Sequence, residues 1–465
     1  MGSFMDYSKC MTVFERRLLL PVPATELHDW HVRPGAFERL SAPWDTVRHI
    51  YADPVRNGAK RIFEVKKGGF WMRWVADHQD VVHGEQFTDI MEAGPFKSWR
   101  HTHRFEALDS DRSRLVDHIE YALPLGGLGR AVAGGAIERD IDRMFTYRHR
   151  TTLGDLSHHG RWLGAAPLRI AITGASGLIG PQLVAFLRTG GHEVFRLVRG
   201  TAEPADDEIR WSVSEGVQDM DRLNGVDAVI HLAGAPVAQR WTQKSQKRIL
   251  DSRVEGTRAI VAAIAALPDR PSVLLSASAI GFYGDTGSEV VDESAEAGDG
   301  FLAEVCQAWE AEALKSEALG VRTVRARLGL VLDPRGGALQ KMLPIFKSGV
   351  GGRVGSGQQL MSWVGLDDVL SMMSSLLQDN TLSGAFNITG PAPVSQAEFA
   401  TTLGQVLSRP SFAPAPAAAI KMLYGEMGEQ TVLGSTGVAP ARFQDLDYDF
   451  RAASLEEALR HCLGK

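Results

Sequence analysis

The feature that most limits what this chain can become is Leu168-Arg-Ile-Ala-Ile-Thr-Gly174-Ala-Ser-Gly177-Leu-Ile-Gly180. A short apolar strand, Leu168 to Ile172, runs into three glycines, and a helical pattern, Leu178 to Leu187, follows. Gly174 permits a tight turn, Gly177 lets backbone N–H groups approach a pyrophosphate, and Gly180 lets helix and strand pack closely. The helix N-terminus then meets the anion with unpaired donors and the positive end of its dipole. A glycine-rich loop alone is a weak signal; the strand before it and the helix after it make this one specific. The segment predicts an α/β Rossmann unit binding a dinucleotide, with Thr173, Gly174, Ser176, Gly177, Leu178, Ile179 and Gly180 as contacts.

Such a unit reads its nucleotide about 20 residues beyond the glycines, where an acid binds the ribose or an Arg takes a 2′-phosphate. Here the second strand, Glu193-Val-Phe-Arg-Leu-Val-Arg199, ends on Arg199 with no acid. A guanidinium can hold a phosphate in bidentate fashion, whereas a carboxylate would repel it. NADP(H) is therefore expected over NAD(H).

The chain has 465 residues, too many for one ordinary domain. It is 44% hydrophobic and 23% charged with a net charge of −6, which argues against nucleic acid or an anionic membrane as partner. No run approaches the roughly 18 apolar residues of a membrane span, and the charged start MGSFMDYSKCMTVFERR is unlike a secretory signal. Cys10, Cys306 and Cys462 lie far apart with no C-x-x-C, so neither disulfides nor structural zinc are indicated. A soluble cytoplasmic protein is expected. The polar stretch at 157–167 and the proline-rich Arg409–Ala419 divide it into residues 1–158, 168–408 and 409–465.

The first unit reads as strands up to about residue 125. In Trp99-Arg-His-Thr-His-Arg-Phe105, Trp99, His101, His103 and Phe105 share one face. From about Gly129 an apolar helical stripe begins, through Val132, Ile137, Ile141, Met144 and Phe145 to Leu153 and Leu156. PVPATELHDWHVRPGAFERLSAPW, GPFKSWRHTHRF, DHIEYALPLG and FTYRHRTTLGDL resemble SRPBCC (START-like) domains. The resemblance implies an α+β helix-grip fold with a cavity for a small hydrophobic ligand. Three readings of the Trp99–Phe105 face follow in order of preference: core packing, cavity lining, and metal ligation by His101 and His103. Metal comes last because no third ligand stands at a matching sequence spacing, and no metal is expected.

In the second unit, the G-x-x-G-x-x-G spacing resembles the extended short-chain dehydrogenase/reductase family. Val226–Gly234, Asp251–Thr257, Ser276–Gly284, Arg327–Leu332 and Gly355–Asp368 look like its later strands and segments, and Leu423–Phe443 resembles the tail of its sugar-nucleotide-epimerase-like subgroup. The resemblance adds Leu232, Ala233, Gly234 and Ser276 as cofactor contacts and implies Ser278 and Tyr283 as catalytic residues. It also exposes a departure. The family's Tyr-x-x-x-Lys pair is missing: none of the seven tyrosines has Lys four residues later, and the two positions fall near Leu302 and Cys306. An NADP(H)-binding epimerase or reductase acting on a nucleotide-sugar or carbonyl small molecule is expected, or alternatively a weakly active or inactive nucleotide-binding sensor. Lys341, Gln359 and Trp363 are candidate substrate contacts, Glu304 a candidate acid or base, and a homodimer is allowed.

Overall fold

The structure, a computed structural model, describes residues 11–200 and 202–465; Cys10 lies outside them. The chain divides into two compact units between Ala165 and Ala166. The first has strands β1 (Thr12–Leu20), β2 (Thr46–Ala52), β3 (Lys60–Lys67), β4 (Phe70–Val82), β5 (Gln86–Ala93), β6 (Ser98–Ala107) and β7 (Ser113–Ala122). Two short helices, α1 (Ala24–Val32) and α2 (Ala36–Leu40), separate β1 from β2, and α3 (Gly126–His159) closes the unit. The strands form one antiparallel sheet in the order β1-β7-β6-β5-β4-β3-β2. Alternation along β6 buries Trp99, His101, His103 and Phe105 on a single face.

That face is packed. Trp99 meets Trp74, Phe96 and Tyr121, Phe105 meets Phe87 and His28, and His101 meets Phe145 of α3. The α3 stripe differs from its sequence pattern. Ile141, Phe145 and Leu156 are buried, but Val132 and Leu153 are exposed. His149, Thr152 and Asp155 take buried places instead. His149 and Asp155 can do so because they find polar partners: Asp155 is clamped by the buried Arg39 through two bonds of 2.8 and 2.9 Å, and His149 bonds Asp117. Apolar periodicity cannot register such pairs.

The second unit is a doubly wound sheet. Its strands are β8 (Arg169–Thr173), β9 (Glu193–Val198), β10 (Glu208–Ser212), β11 (Gly216–Val217), β12 (Ala228–His231), β13 (Val273–Ala279) and, beyond the short β14 (Val290–Val291), β15 (Arg322–Leu328). An eighth sheet strand is Gly384–Ile388, and the order is β11-β10-β9-β8-β12-β13-β15 and then that strand. All pairs are parallel except β10–β11. The helices include α4 (Gly180–Thr189), α5 (Met220–Leu223), α6 (Gln243–Ala266) and α7 (Phe301–Leu314). β12 is buried at every position and β13 at all but its last, the pattern of strands covered on both faces. The strand order reverses between β8 and β12, the place where doubly wound sheets bind their ligands beyond the strands' carboxyl ends. Residues 409–463 belong to this unit. Gly437–Val438 pairs with β14, and Leu455, Leu459 and Leu463 pack with Leu339, Phe399 and Trp363.

Candidate functional site

Thr173 ends β8 directly opposite His231 of β12, and its hydroxyl ties the two strands together. Oγ1 accepts the N–H of Leu232 (3.1 Å) and Ala233 (3.2 Å) and lies 2.7 Å from His231 Nδ1. Burial, with the Arg253 charge adding to it, pushes the His231 ring down to about 4. It is therefore neutral, and because Oγ1 already accepts two N–H groups, the Thr173 hydroxyl hydrogen is left to donate to Nδ1. Gly174 follows at φ +70°, where a Cβ would stand 2.8 Å from the Leu232 carbonyl carbon. At Gly180 a Cβ would come within 2.3 Å of the Gly174 oxygen. Both glycines are thus demanded by the turn itself.

Gly177 differs. It is exposed, its N–H donates to the Gly174 oxygen at 2.9 Å, and a Cβ would meet only that oxygen, at 3.3 Å. Among the described residues the N–H groups of Ser176, Leu178 and Ile179 donate to no protein atom. Three free donors at the start of a ten-residue helix, α4, fit a dinucleotide pyrophosphate. Arg199 lies exposed just past β9, with neither ion pair nor hydrogen bond among the described residues. Arg196, by contrast, is bound to Asp207 and Glu208. Gly234 sits against the Arg253 guanidinium, which lies 5.0 Å from the Trp309 ring centroid and donates to Ala235 O and Ile249 O. Ser276 is buried within the sheet between His231 and Arg325, its hydroxyl donating to the Ala277 carbonyl.

Ser278 and Tyr283 meet in a second cluster that includes four residues the sequence reading did not assign to the site: Glu310, Arg325, Arg327 and Asn387. Ser278 Oγ donates to Glu310 Oε1 at 2.7 Å. Arg327, opposite Ser278 on β15, grips both Glu310 oxygens at 2.8 and 2.9 Å, and Arg325 adds a bond of 3.0 Å. Arg327 also donates to the Tyr283 hydroxyl, which donates in turn to Asn387. Burial raises the Tyr283 phenol above its ordinary range. Glu310 stands one and two turns beyond Cys306 and Leu302 on α7, so that face carries an apolar residue, a thiol and a carboxylate where Tyr-x-x-x-Lys would project. Burial pushes the Cys306 thiol up to about 11, which suits packing and not nucleophilic attack. Gln359 and Trp363 are buried, and Gln359 bonds the Val354 and Val432 carbonyls. Lys341 reaches Ala238 O. Glu304 is exposed on a cavity of about 550 Å³ that Phe301, Lys247 and Glu426 also line.

Residues 170–389 match the model of the NAD dependent epimerase/dehydratase family. An epimerase family protein of Mycobacterium bovis is 40% identical over 291 residues, covering 62% of this chain and 96% of the relative. This chain belongs to that family. Residues 415–462 match a domain of unknown function, DUF1731. The crystal structure of a nucleoside-diphosphate sugar epimerase from Corynebacterium glutamicum superposes with a TM-score of 0.77 at 31% identity. It covers 97% of this epimerase-family chain and 90% of its own, so the match extends into the first unit. A human relative, epimerase family protein SDR39U1, solved with NADPH, covers 64% of this chain and 99% of its own at 30% identity and TM-score 0.58. No helix among the described residues is long and apolar enough to cross a membrane.

Proposed function

We propose that this epimerase-family chain binds NADP(H) at the Gly174–Gly180 turn and transforms a small carbonyl or nucleotide-sugar substrate. The observation that carries the cofactor reading is Arg199 at the end of β9, without a partner among the described residues, together with the three N–H donors of the turn that are likewise free among them. The human relative solved with NADPH supports the same choice. When bound, the nicotinamide supplies hydride chemistry. The chain's share is to hold the pyrophosphate on the Ser176, Leu178 and Ile179 amides, the 2′-phosphate on Arg199, and a substrate hydroxyl at Ser278. Ser278 donates its hydrogen bond to Glu310, which leaves its oxygen lone pairs to accept a hydrogen bond from that hydroxyl. The N-terminal unit, a sheet closed by a long helix, is read as an SRPBCC-like domain.

A sensor that holds the nucleotide without turnover is the second reading, favoured by Leu302 and Cys306 at the places of the missing pair and by the internal bonding of both hydroxyls. NADPH oxidation against a panel of nucleotide sugars and simple carbonyls separates the two. Turnover that falls at least tenfold in Ser278→Ala supports the enzyme. Tight NADPH binding with no oxidation of any panel member supports the sensor, and absence of NADPH binding overturns both.

A further inference from the structure

The first unit gathers six ionisable side chains into its interior. Strand register does it. His78, Asp89 and His101 stand opposite one another across β4, β5 and β6, and His103 and Asp117 stand opposite across β6 and β7. Directly opposed residues point to the same face, and His101 and His103, two apart, share that face. α3 adds His149 from above, bonded to Asp117 Oδ2 at 2.6 Å. His78, His101, His103, Asp117 and His149 are all buried.

The contacts within this set are close. His78 Nδ1 lies 2.5 Å from Asp89 Oδ1, and His103 Nδ1 lies 2.8 Å from Asp117 Oδ1. The buried His78 Nε2 has no hydrogen-bond partner among the described residues, where buried polar atoms are nearly always satisfied. One ring nitrogen each of His101 and His103 and one oxygen of Asp89 lie within 4.8 Å of one another. Asp117 stands behind them. It bonds His101 Nε2 at 3.0 Å and touches His103 Nδ1, which leaves His101 Nδ1 and His103 Nε2 as the lone-pair nitrogens; the latter is 3.6 Å from Asp89 Oδ2. A carboxylate that holds the far side of a ligating imidazole is the usual outer support of a metal site.

We propose that Asp89, His101 and His103 bind one divalent transition-metal ion, with His78 beside Asp89 and Asp117 orienting the two imidazoles. Two imidazoles and a carboxylate suit zinc, iron(II) or cobalt(II) and not magnesium or calcium. The site is independent of the nucleotide turn and stands or falls separately from it.

The test uses the full-length protein, stripped with chelator and titrated with Zn2+ and with Co2+, whose visible absorption reports its ligands. One equivalent should bind with an imidazole-type cobalt spectrum. Asp89→Asn, which keeps the side-chain shape, should abolish the band. Asp117→Asn should weaken binding by roughly 10- to 100-fold. His83→Ala, in the separate partly exposed group His28, Asp29 and His83, should change nothing. Circular dichroism on the same samples shows that each variant is folded. Absence of a saturable cobalt band, unchanged affinity in Asp89→Asn, or loss of the band in His83→Ala overturns the assignment.

Discussion

At the scale of single residues, the junction of β8 and β12 rests on one hydroxyl. Thr173 Oγ1 satisfies two backbone N–H groups and one ring nitrogen. Thr173→Val keeps the shape and removes all three bonds, so unfolding free energy should fall by about 1–3 kcal/mol in a urea titration. His231 adds a pH dependence of known sign. Its folded pKa of about 4 lies below the ordinary value near 6.5, so between these pH values the unfolded chain binds more protons. Stability should hold above pH 6.5 and drop as pH falls toward 4, by up to about 3 kcal/mol from this ring alone. His231→Asn should flatten that part of the stability–pH curve.

At the scale of elements, the three glycines of the turn separate into two kinds. Gly180→Ala drives a methyl onto the Gly174 oxygen and should lower stability and NADPH binding together. Gly177→Val should spare the melting temperature, because only one oxygen at 3.3 Å opposes its Cβ, while NADPH binding falls at least tenfold. Equal effects of the two substitutions on melting temperature would refute this division. The buried Glu310 network predicts a large loss as well. Glu310→Gln leaves Arg325 and Arg327 short of their counter-charge and should cost about 3–5 kcal/mol in denaturant unfolding. The turn was legible in the sequence because its rules act over seven adjacent residues. The network was not, because it joins Ser278 to Glu310 and Tyr283 to Asn387, residues 32 and 104 positions apart. The same limit hid the third ligand beside His101 and His103: Asp89 stands opposite His101 through strand register and not through spacing along the chain.

At the scale of the whole molecule, each unit has its own buried core, so the first should fold by itself. The fragment should end at Ala165, because a cut at residue 158 removes the last residue of α3 and the turn that follows. A fragment of residues 1–165 that unfolds cooperatively in urea is the expected outcome; a featureless, non-cooperative curve would contradict it. The division near 157–167 was readable from its polar, glycine-containing composition. The place of residues 409–465 was harder to read, since three prolines in eleven residues punctuate Arg409–Ala419 while Leu455, Leu459 and Leu463 complete a core shared with Leu339 and Trp363.

The central claim is that the turn after β8 holds NADP(H) with Arg199 on its 2′-phosphate, and calorimetric titration of NADPH and NADH into the wild type and Arg199→Ala tests it most directly. A charged hydrogen bond contributes about 1.5–3 kcal/mol, or roughly tenfold to a hundredfold in affinity. NADPH should bind the wild type tighter than NADH by about that factor, and Arg199→Ala should erase the difference by weakening NADPH alone. Equal wild-type affinities, or equal losses for both nucleotides in the variant, would contradict the account.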